Sequence, residues 1–225
     1  MQLPGPSDFI DIHNHGALPA AGIFTVENLM AHEDRMPSYT DGMVFTCGIH
    51  PWHLDENKLG EQLSIVKSCV ITDEVIAVGE AGFDKLKGPS TDLQRKAFRE
   101  QVMIATEAGK PVFIHCVRAW DELLMAHKQI RPGYPWLVHG FRGNKELASQ
   151  LVSKGMYLSF WFDFVMRPEA SDLIKNIPSD RIFLETDGSG ADIREIYLKV
   201  AGDLGISVSE LKLRIQQNFL EFFGK

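Results

Sequence analysis

The sequence has few cysteines, no long apolar run and no basic leader at its start. Its three cysteines, Cys47, Cys69 and Cys116, are widely spaced and form no C-x-x-C pair. This pattern argues against a disulfide framework and against a structural zinc knuckle, so each cysteine is expected to be a buried reduced thiol. No stretch approaches the roughly 18 apolar residues of a membrane span, and the first ten residues do not resemble a signal peptide. The sequence therefore predicts a cytoplasmic protein.

Basic residues are also in the minority. The chain of 225 residues has 23 Lys and Arg against 30 Asp and Glu, which gives a net charge of −7. A protein that binds polyanions through diffuse electrostatics needs a basic face, so this charge balance excludes that class. A local cationic site remains open, because a bound divalent metal would supply positive charge. No linker-like stretch divides the chain, and we predict one domain spanning residues 1–225.

Short apolar runs alternate with amphipathic stretches along the whole chain. The runs are about five residues long and apolar throughout, without alternating polar positions, as in strands buried on both faces. The predicted strands are 9–13, 22–26, 43–48, 75–79, 111–115, 136–139, 156–159 and 181–185. The predicted helices are 27–35, 55–67, 91–108, 118–129, 145–153, 168–176, 193–204 and 207–223.

This alternation predicts an α/β fold with a parallel sheet. Eight strand–helix units would form a (β/α)₈ TIM barrel, either regular or slightly shortened or distorted. Without the strand at 22–26, the seven remaining units would form a distorted barrel or an open doubly wound sheet. The position of the ionisable residues favours the barrel.

Ionisable side chains follow five of the apolar runs, at the point where each predicted strand ends. These residues are His13 with His15, Glu80, His115, His139, and Glu185 with Asp187. A parallel barrel builds its active site at the carboxyl ends of its strands. Burying an unpaired carboxylate or imidazole there would cost several kcal/mol, and a shared metal ion removes that penalty. Histidine, glutamate and aspartate suit Zn²⁺, Mn²⁺ or a similar ion, so we predict a divalent metal centre.

Six short motifs occur in a fixed order. They are H-x-H at 13–15, G-I-H-P at 48–51, G-E-x-G-x-D at 79–84, I-H-C-x-R at 114–118, H-G-F-x-G at 139–143 and L-E-T-D at 184–187. In this order the set resembles the TatD family of metal-dependent hydrolases. The family consists of amidohydrolase-like TIM barrels, and its better-known members are deoxyribonucleases.

The resemblance implies a two-metal site. His13 and His15 would hold one divalent ion together with Asp187, and Glu80 would bridge to a second ion held by His115 and His139. The ions would be zinc, manganese or magnesium. The chain departs from the family at residues 188–190, where Gly-Ser-Gly replaces a Pro-containing stretch, and it is short between residues 15 and 48. These loops line the substrate entrance, so the resemblance does not identify the substrate.

Two residues of the set are predicted to be catalytic. Metal ions lower the pKa of a bound water, and the resulting hydroxide would attack a phosphorus or a carbonyl carbon. Glu80 would bridge the ions. Asp187 would position the nucleophile and take its proton, or it would serve only as a ligand.

Three residues are predicted to contact the substrate. Arg118 and Arg142 each follow a predicted ligand by three positions, and a guanidinium can grip a phosphate with two hydrogen bonds. The alternative for both arginines is a surface salt bridge. His50 matches the G-I-H-P motif and would face the substrate or support the ligands. Three tryptophans, at positions 52, 120 and 161, would stack on bases or serve in packing.

The sequence therefore predicts a metal-dependent hydrolase of the TatD type, acting on phosphodiesters in the manner of a deoxyribonuclease. The alternative is an amidohydrolase acting on a small ester, lactone or amide with the same metal centre. A non-catalytic metal-binding scaffold is disfavoured by the complete ligand set. The expected partners are nucleic-acid ends or such a small substrate, with no membrane and no obligate protein partner.

Overall fold

The computed structural model describes residues 1–33 and 35–225, and its strands form one eight-stranded sheet in chain order. The pairs β1–β2, β3–β4, β4–β5 and β7–β8 are parallel. The strands are β1 (Phe9–Asn14), β2 (Ile23–Met30), β3 (Met43–Gly48), β4 (Val75–Asp84), β5 (Val112–Val117), β6 (Trp136–Val138), β7 (Tyr157–Trp161) and β8 (Ile182–Glu185).

From β3 onward, helices separate the strands. They are α1 (Leu59–Val70), α2 (Thr91–Glu107), α3 (Trp120–Ile130), α4 (Lys145–Val152), α5 (Phe162–Val165), α6 (Pro168–Lys175), α7 (Ile193–Leu204) and α8 (Val208–Phe222). Two short 3₁₀ helices occupy Pro51–His53 and Ser179–Arg181. Within the described residues, no helix combines the length and the apolar character needed to cross a membrane.

The fold is a (β/α)₈ barrel, as predicted. A doubly wound sheet would reverse its strand order at a switch point, whereas these strands follow one another from β1 to β8. β8 also lies against β1. The predicted strand at 22–26 is present as β2, which removes the seven-strand alternatives.

The chain divides into two compact units. The first unit comprises Met1, Asn28–Tyr39 and Val44–Leu137, and the second comprises Gln2–Glu27, Thr40–Met43 and Val138–Lys225. The assignment of residues 1–225 to a single domain stays a prediction.

The predicted helix at 27–35 is wrong. Strand β2 continues through Met30 and is followed by a turn, while Asp34, which belonged to this prediction, lies outside the described residues. Two polar side chains near the end of β2 find distant partners. Glu27 accepts the backbone N–H groups of Gly16 and Ala17, and Asn28 accepts the Thr46 hydroxyl. These contacts satisfy the side-chain oxygens of Glu27 and Asn28 in an extended strand, and local periodicity cannot detect them.

Buried aromatic residues connect helices to strands in each unit, through ring packing or through hydrogen bonds. In the first unit, the Phe98 ring on α2 lies 4.8 Å from Phe83 and 5.3 Å from Trp136. In the second unit, the fully buried Tyr197 hydroxyl donates to the Ile10 carbonyl (3.1 Å) and accepts the Ile10 N–H (3.0 Å). Because Ile10 lies three residues before His13, this pair of hydrogen bonds fixes the strand that carries the first predicted ligand.

The cysteines are free thiols, as predicted. Cys47 and Cys69 are buried, whereas Cys116 is only half-buried. Burial raises the pKa of the Cys116 thiol above its ordinary value.

Candidate metal centre

Three predicted ligands converge in the second unit, where β1 and β8 end. His13 Nε2 lies 3.1 Å from His15 Nε2, and each of these nitrogens lies 3.7 Å from Asp187 Oδ1. His13 is buried, while His15 and Asp187 are half-buried. Two imidazoles and one carboxylate within this spacing form a group that can hold a divalent ion.

The backbone of Asp187 explains how its carboxylate reaches this group. Its N–H donates to the His13 carbonyl over 3.1 Å, and its φ of 52° turns the chain sharply after β8. The next residue, Gly188, has a φ of +65°, and a Cβ there would lie 3.2 Å from the Cβ of His15. A glycine at 188 therefore permits the close approach of the two loops.

A buried carboxylate beneath the group ties the two strand ends together. Asp11 Oδ1 accepts the Thr186 N–H (3.0 Å), and Oδ2 accepts the Thr186 hydroxyl (2.5 Å) and the Asn14 amide (2.9 Å). Burial raises the pKa of Asp11 to about 6, although these hydrogen bonds act in the opposite direction. Asp11 thereby fixes Thr186, and with it Asp187, against β1.

His139 and Glu185 extend the second-unit group. The His139 ring lies 4.4 Å from the His13 ring, and His139 Nδ1 lies 3.5 Å from Glu185 Oε1. The other oxygen of Glu185 accepts the Ser159 hydroxyl. Burial alone would raise the pKa of Glu185, but its hydrogen bond to His139 and the charges of His139 and His13 outweigh burial and lower it. Sequence reasoning placed Glu185 at a strand end without giving it a role.

A second group lies in the first unit and consists of His50, Glu80 and His115. Glu80 Oε1 lies 3.1 Å from His115 Nδ1 and 3.5 Å from His50 Nε2, and the two imidazole nitrogens are 3.2 Å apart. All three residues are buried. The structure thus brings together two predicted ligands and one predicted substrate contact.

The surrounding hydrogen bonds assign different roles to the two histidines. Asp84 Oδ2 lies 3.4 Å from His115 Nε2, which leaves the Nδ1 lone pair of His115 facing Glu80. Such a carboxylate–histidine pair is the usual support of a metal-ligating imidazole. The backbone N–H of Trp52 donates to His50 Nδ1 over 3.0 Å, so the proton of a neutral His50 lies on Nε2. His50 therefore presents a hydrogen-bond donor toward Glu80, whereas His115 presents a lone pair toward it.

Asp84 is itself held in its ionised form. It accepts the Trp52 indole N–H (2.6 Å) and the backbone N–H groups of Leu86 (2.7 Å) and Lys87 (3.0 Å). Burial would raise the pKa of Asp84, but these bonds and the one from His115 outweigh it and lower the pKa. Sequence reasoning did not give Asp84 this role. Its signals are the last position of G-E-x-G-x-D and its spacing of four from Glu80, which places both side chains on one face of a strand.

A glycine brings β4 and β5 into the required register. Gly82 pairs with His115 and has a φ of +152°, and a Cβ there would lie 2.0 Å from the His115 carbonyl oxygen. No other residue tolerates that contact. Gly82 therefore allows the Glu80 and Asp84 side chains of β4 to lie against His115.

The predicted substrate arginines are both exposed. Arg118 follows β5 with a φ of 50°, and the Arg142 guanidinium lies 4.8 Å above the Trp161 ring. In the first unit, Trp52 is 42% exposed and carries the Lys87 ammonium 3.6 Å above its ring. Each unit therefore has an indole with a cation over its ring, and the Trp161 indole is half-buried.

Comparison with known proteins identifies relatives of this chain. A protein of Erwinia billingiae (strain Eb661) named 3'-5' ssDNA/RNA exonuclease TatD is 35% identical over 147 residues, which are 63% of this chain and 56% of that protein. The uncharacterized metal-dependent hydrolase YcfH of Escherichia coli (strain K12) is 28% identical over 201 residues, which are 81% of this chain and 74% of that protein. The chain thus spans little more than half the length of the Erwinia relative.

Two crystal structures share the fold. YJJV, a TatD homolog from Escherichia coli K12, has a TM-score of 0.76 at 21% identity and covers 98% of this chain and 100% of its own. A TatD family hydrolase from Entamoeba histolytica has a TM-score of 0.76 at 18% identity, with coverages of 96% and 98%. The sequence pattern of the family described as TatD related DNase matches residues 22–224 of this chain. Because this match covers nearly the whole chain, the protein belongs to the TatD family.

Proposed function

We propose that this protein is a metal-dependent hydrolase that cleaves phosphodiester bonds at the ends of single-stranded nucleic acid. The observation that carries the proposal is the pair of histidine–carboxylate groups, one in each unit, each with its own orienting partners. In the second unit Asp11 fixes the loop that carries Asp187, and in the first Asp84 directs His115 Nδ1 toward Glu80. Metal-ligating residues in proteins usually have orienting partners of this kind.

The donor sets fit divalent ions. His13, His15 and Asp187 would hold one ion in the second unit, and Glu80 with His115 would hold another in the first. Imidazole nitrogens together with carboxylate oxygens suit Zn²⁺ and Mn²⁺, and carboxylates also accept Mg²⁺. We therefore propose two divalent ions per chain. The bridging role of Glu80 and the ligation by His139 stay predictions from the family resemblance.

The bound ions would lower the pKa of water from about 15.7 toward 7, which provides hydroxide at neutral pH. We assign Asp187 as the residue that orients the attacking water and accepts its proton. Its side chain is 25% exposed, whereas that of Glu80 is 3% exposed. Asp187 can therefore pass a proton to solvent, which the buried Glu80 cannot.

The surroundings of the two groups support a nucleic-acid substrate. Arg142 on Trp161 offers a guanidinium for a phosphate beside an indole for a base, and Arg118 offers a second exposed guanidinium. The Erwinia relative is named as an exonuclease on single-stranded DNA and RNA. The net charge of −7 repels long polyanions, but screening limits this repulsion to about 8 Å at physiological salt. The cytoplasmic location and the absence of a membrane or protein partner stay predictions.

The test compares the wild type with Glu80→Ala on three substrates: single-stranded DNA, an activated phosphodiester and an activated carboxylic ester. We expect the wild type to cleave the first two, and Glu80→Ala to lose at least a hundredfold in turnover. Glu107→Ala, on the exposed end of α2, is the matched control and should retain wild-type rates. Turnover of the ester alone would contradict the proposal and favour the alternative hydrolase of a small ester, lactone or amide.

A further inference from the structure

Asn28 lies buried beside the backbone of Glu80. Its side chain is on β2, the residue is 1% exposed, and its Oδ1 accepts the Glu80 N–H over 2.9 Å and the Thr46 hydroxyl over 2.8 Å. A backbone N–H can only donate, so the amide atom that faces Glu80 must be the oxygen. The orientation of the Asn28 amide is thereby fixed, and its nitrogen is directed away from Glu80 N.

Within the described part of the chain, the amide nitrogen of Asn28 finds no acceptor. Nδ2 is buried and makes no hydrogen bond to any residue among 1–33 and 35–225. Native proteins rarely leave a buried donor unmatched, because its lost hydration is not replaced. Asn218 shows the usual solution: it is 2% exposed, and its Nδ2 donates to the carbonyls of Ser179 (2.8 Å) and Ile182 (2.9 Å). The acceptor for Asn28 is therefore expected to come from outside the described residues.

The unmatched nitrogen lies near the backbone of a residue of the first-unit group. Amide bond lengths place Nδ2 about 2.2 Å from Oδ1, so it lies within about 5 Å of the Glu80 nitrogen. Glu80 carries the carboxylate of the first-unit group, together with His50 and His115. A neutral N–H₂ donor at this place matches an oxygen with a free lone pair, such as a phosphoryl oxygen or a water molecule.

We propose that Asn28 is a substrate-binding residue whose amide nitrogen donates to an oxygen of the molecule bound at the first-unit group. This inference rests on the proposed function. A phosphoryl oxygen gains negative charge as the phosphodiester is attacked, and a fixed neutral donor stabilises that charge without attracting a counterion. The amide oxygen of Asn28 thus holds the backbone of Glu80 in place, while the amide nitrogen contacts the substrate.

The direct test uses the full chain with ¹⁵N-labelled asparagine, observed by NMR at the side-chain amide groups. The Asn28 signal is assigned by its disappearance in Asn28→Asp. Spectra are recorded without metal, with Mg²⁺, and with Mg²⁺ plus inorganic phosphate. We expect the Asn28 amide signal to shift on ligand addition while the Asn218 signal stays in place. A shift that requires phosphate supports the inference, whereas a full shift with Mg²⁺ alone would indicate a water acceptor and contradict substrate binding by Asn28. An Asn28 signal that moves in neither titration overturns the inference.

A kinetic test separates substrate binding from support of Glu80. Asn28→Asp keeps an oxygen for the Glu80 N–H but replaces the donor with an acceptor. We expect its kcat on single-stranded DNA to fall at least tenfold while its metal content stays at the wild-type level. Thr46→Val removes only the hydroxyl bond to Oδ1 and should change kcat less than threefold. Wild-type kcat in a folded Asn28→Asp overturns the inference.

The two proposals fail in different ways. A wild type that hydrolyses no phosphodiester contradicts the proposed function, whatever the amide signal shows. An active wild type whose Asn28 signal shifts with neither Mg²⁺ nor phosphate contradicts only the inference about Asn28. Should Asn28→Asp not fold, the NMR titration of the wild type still decides, with its signal assigned by Asn28→Ser.

Discussion

The backbone nitrogen of Asp187 lies 3.1 Å from the carbonyl oxygen of His13, so the end of β8 is hydrogen-bonded to the end of β1. This contact, and the left-handed φ of 52° at Asp187, direct the carboxylate toward the imidazoles of His13 and His15. The backbone contact thus brings Asp187 Oδ1 within 3.7 Å of a nitrogen of each ring.

Asp187→Asn should leave the fold intact and remove most of the activity. The amide keeps the size of the side chain but loses the charge that binds an ion and the basicity that accepts a proton. General-base and ligand losses typically lower rates by about 10²–10⁴-fold, and we expect a fall in kcat within this range. The matched control is Asp180→Asn, which lies before β8 rather than after it and should have wild-type kinetics. Wild-type kcat in Asp187→Asn would contradict a role of this carboxylate in ion binding or proton transfer.

The stability of the metal-free protein should depend on pH through Asp11. The pKa of this carboxyl rises from 3.8 to about 6 on folding, so between these values the folded state binds more protons than the unfolded state. The free energy of unfolding therefore falls as pH rises through this window, by at most about 1.4 kcal/mol per unit from this single group. Asp11→Asn removes the contribution.

Urea unfolding of both proteins from pH 4 to 7 measures the effect. The stability of Asp11→Asn relative to the wild type should increase with pH, by about 2–3 kcal/mol over the range. A difference in the free energy of unfolding that stays constant from pH 4 to 7 would mean that Asp11 has an ordinary pKa in the folded protein.

Arg142→Ala should distinguish a phosphodiesterase from a hydrolase of small esters. The variant removes the guanidinium that lies over Trp161. We expect KM for single-stranded DNA to rise about tenfold, in line with the loss of a charge-assisted hydrogen bond to phosphate, and turnover of a small activated ester to stay unchanged. Arg118→Ala should behave in the same way. Arg214→Ala, whose guanidinium pairs with Glu210 on α8, serves as the control. Unchanged DNA kinetics in both variants would contradict a phosphate-binding role.

Most of the fold was predictable, because the barrel strands are buried on both faces and appear as short apolar runs. The bounds of β3 and α7 agree with the sequence, and β2 is present where a strand was expected. β4 runs to Asp84 rather than ending at 79, because Gly79 and Gly82 serve close strand contact instead of a turn. The helix predicted at 27–35 failed because the partners of Glu27 and Asn28 come from other segments.

The residues that support the candidate site were largely not predictable. The positions of His13, Glu80 and Asp187 follow from strand ends and from family motifs. Their supporting contacts join distant segments: Asp11 and Thr186 are 175 positions apart, and Asn28 and Glu80 are 52 apart. A single sequence contains no periodic signal for such pairs, which arise only when the sheet forms.

The most direct test of the two-ion hydrolase is a count of bound metal ions, made together with an assay of single-stranded DNA cleavage. The proteins compared are the wild type, His15→Ala from the second-unit group and His115→Ala from the first. We predict two divalent ions per chain in the wild type and one in each variant, with cleavage lost in chelator and restored by added Mn²⁺ or Mg²⁺. Cleavage that persists in chelated, metal-free wild-type protein would contradict the account.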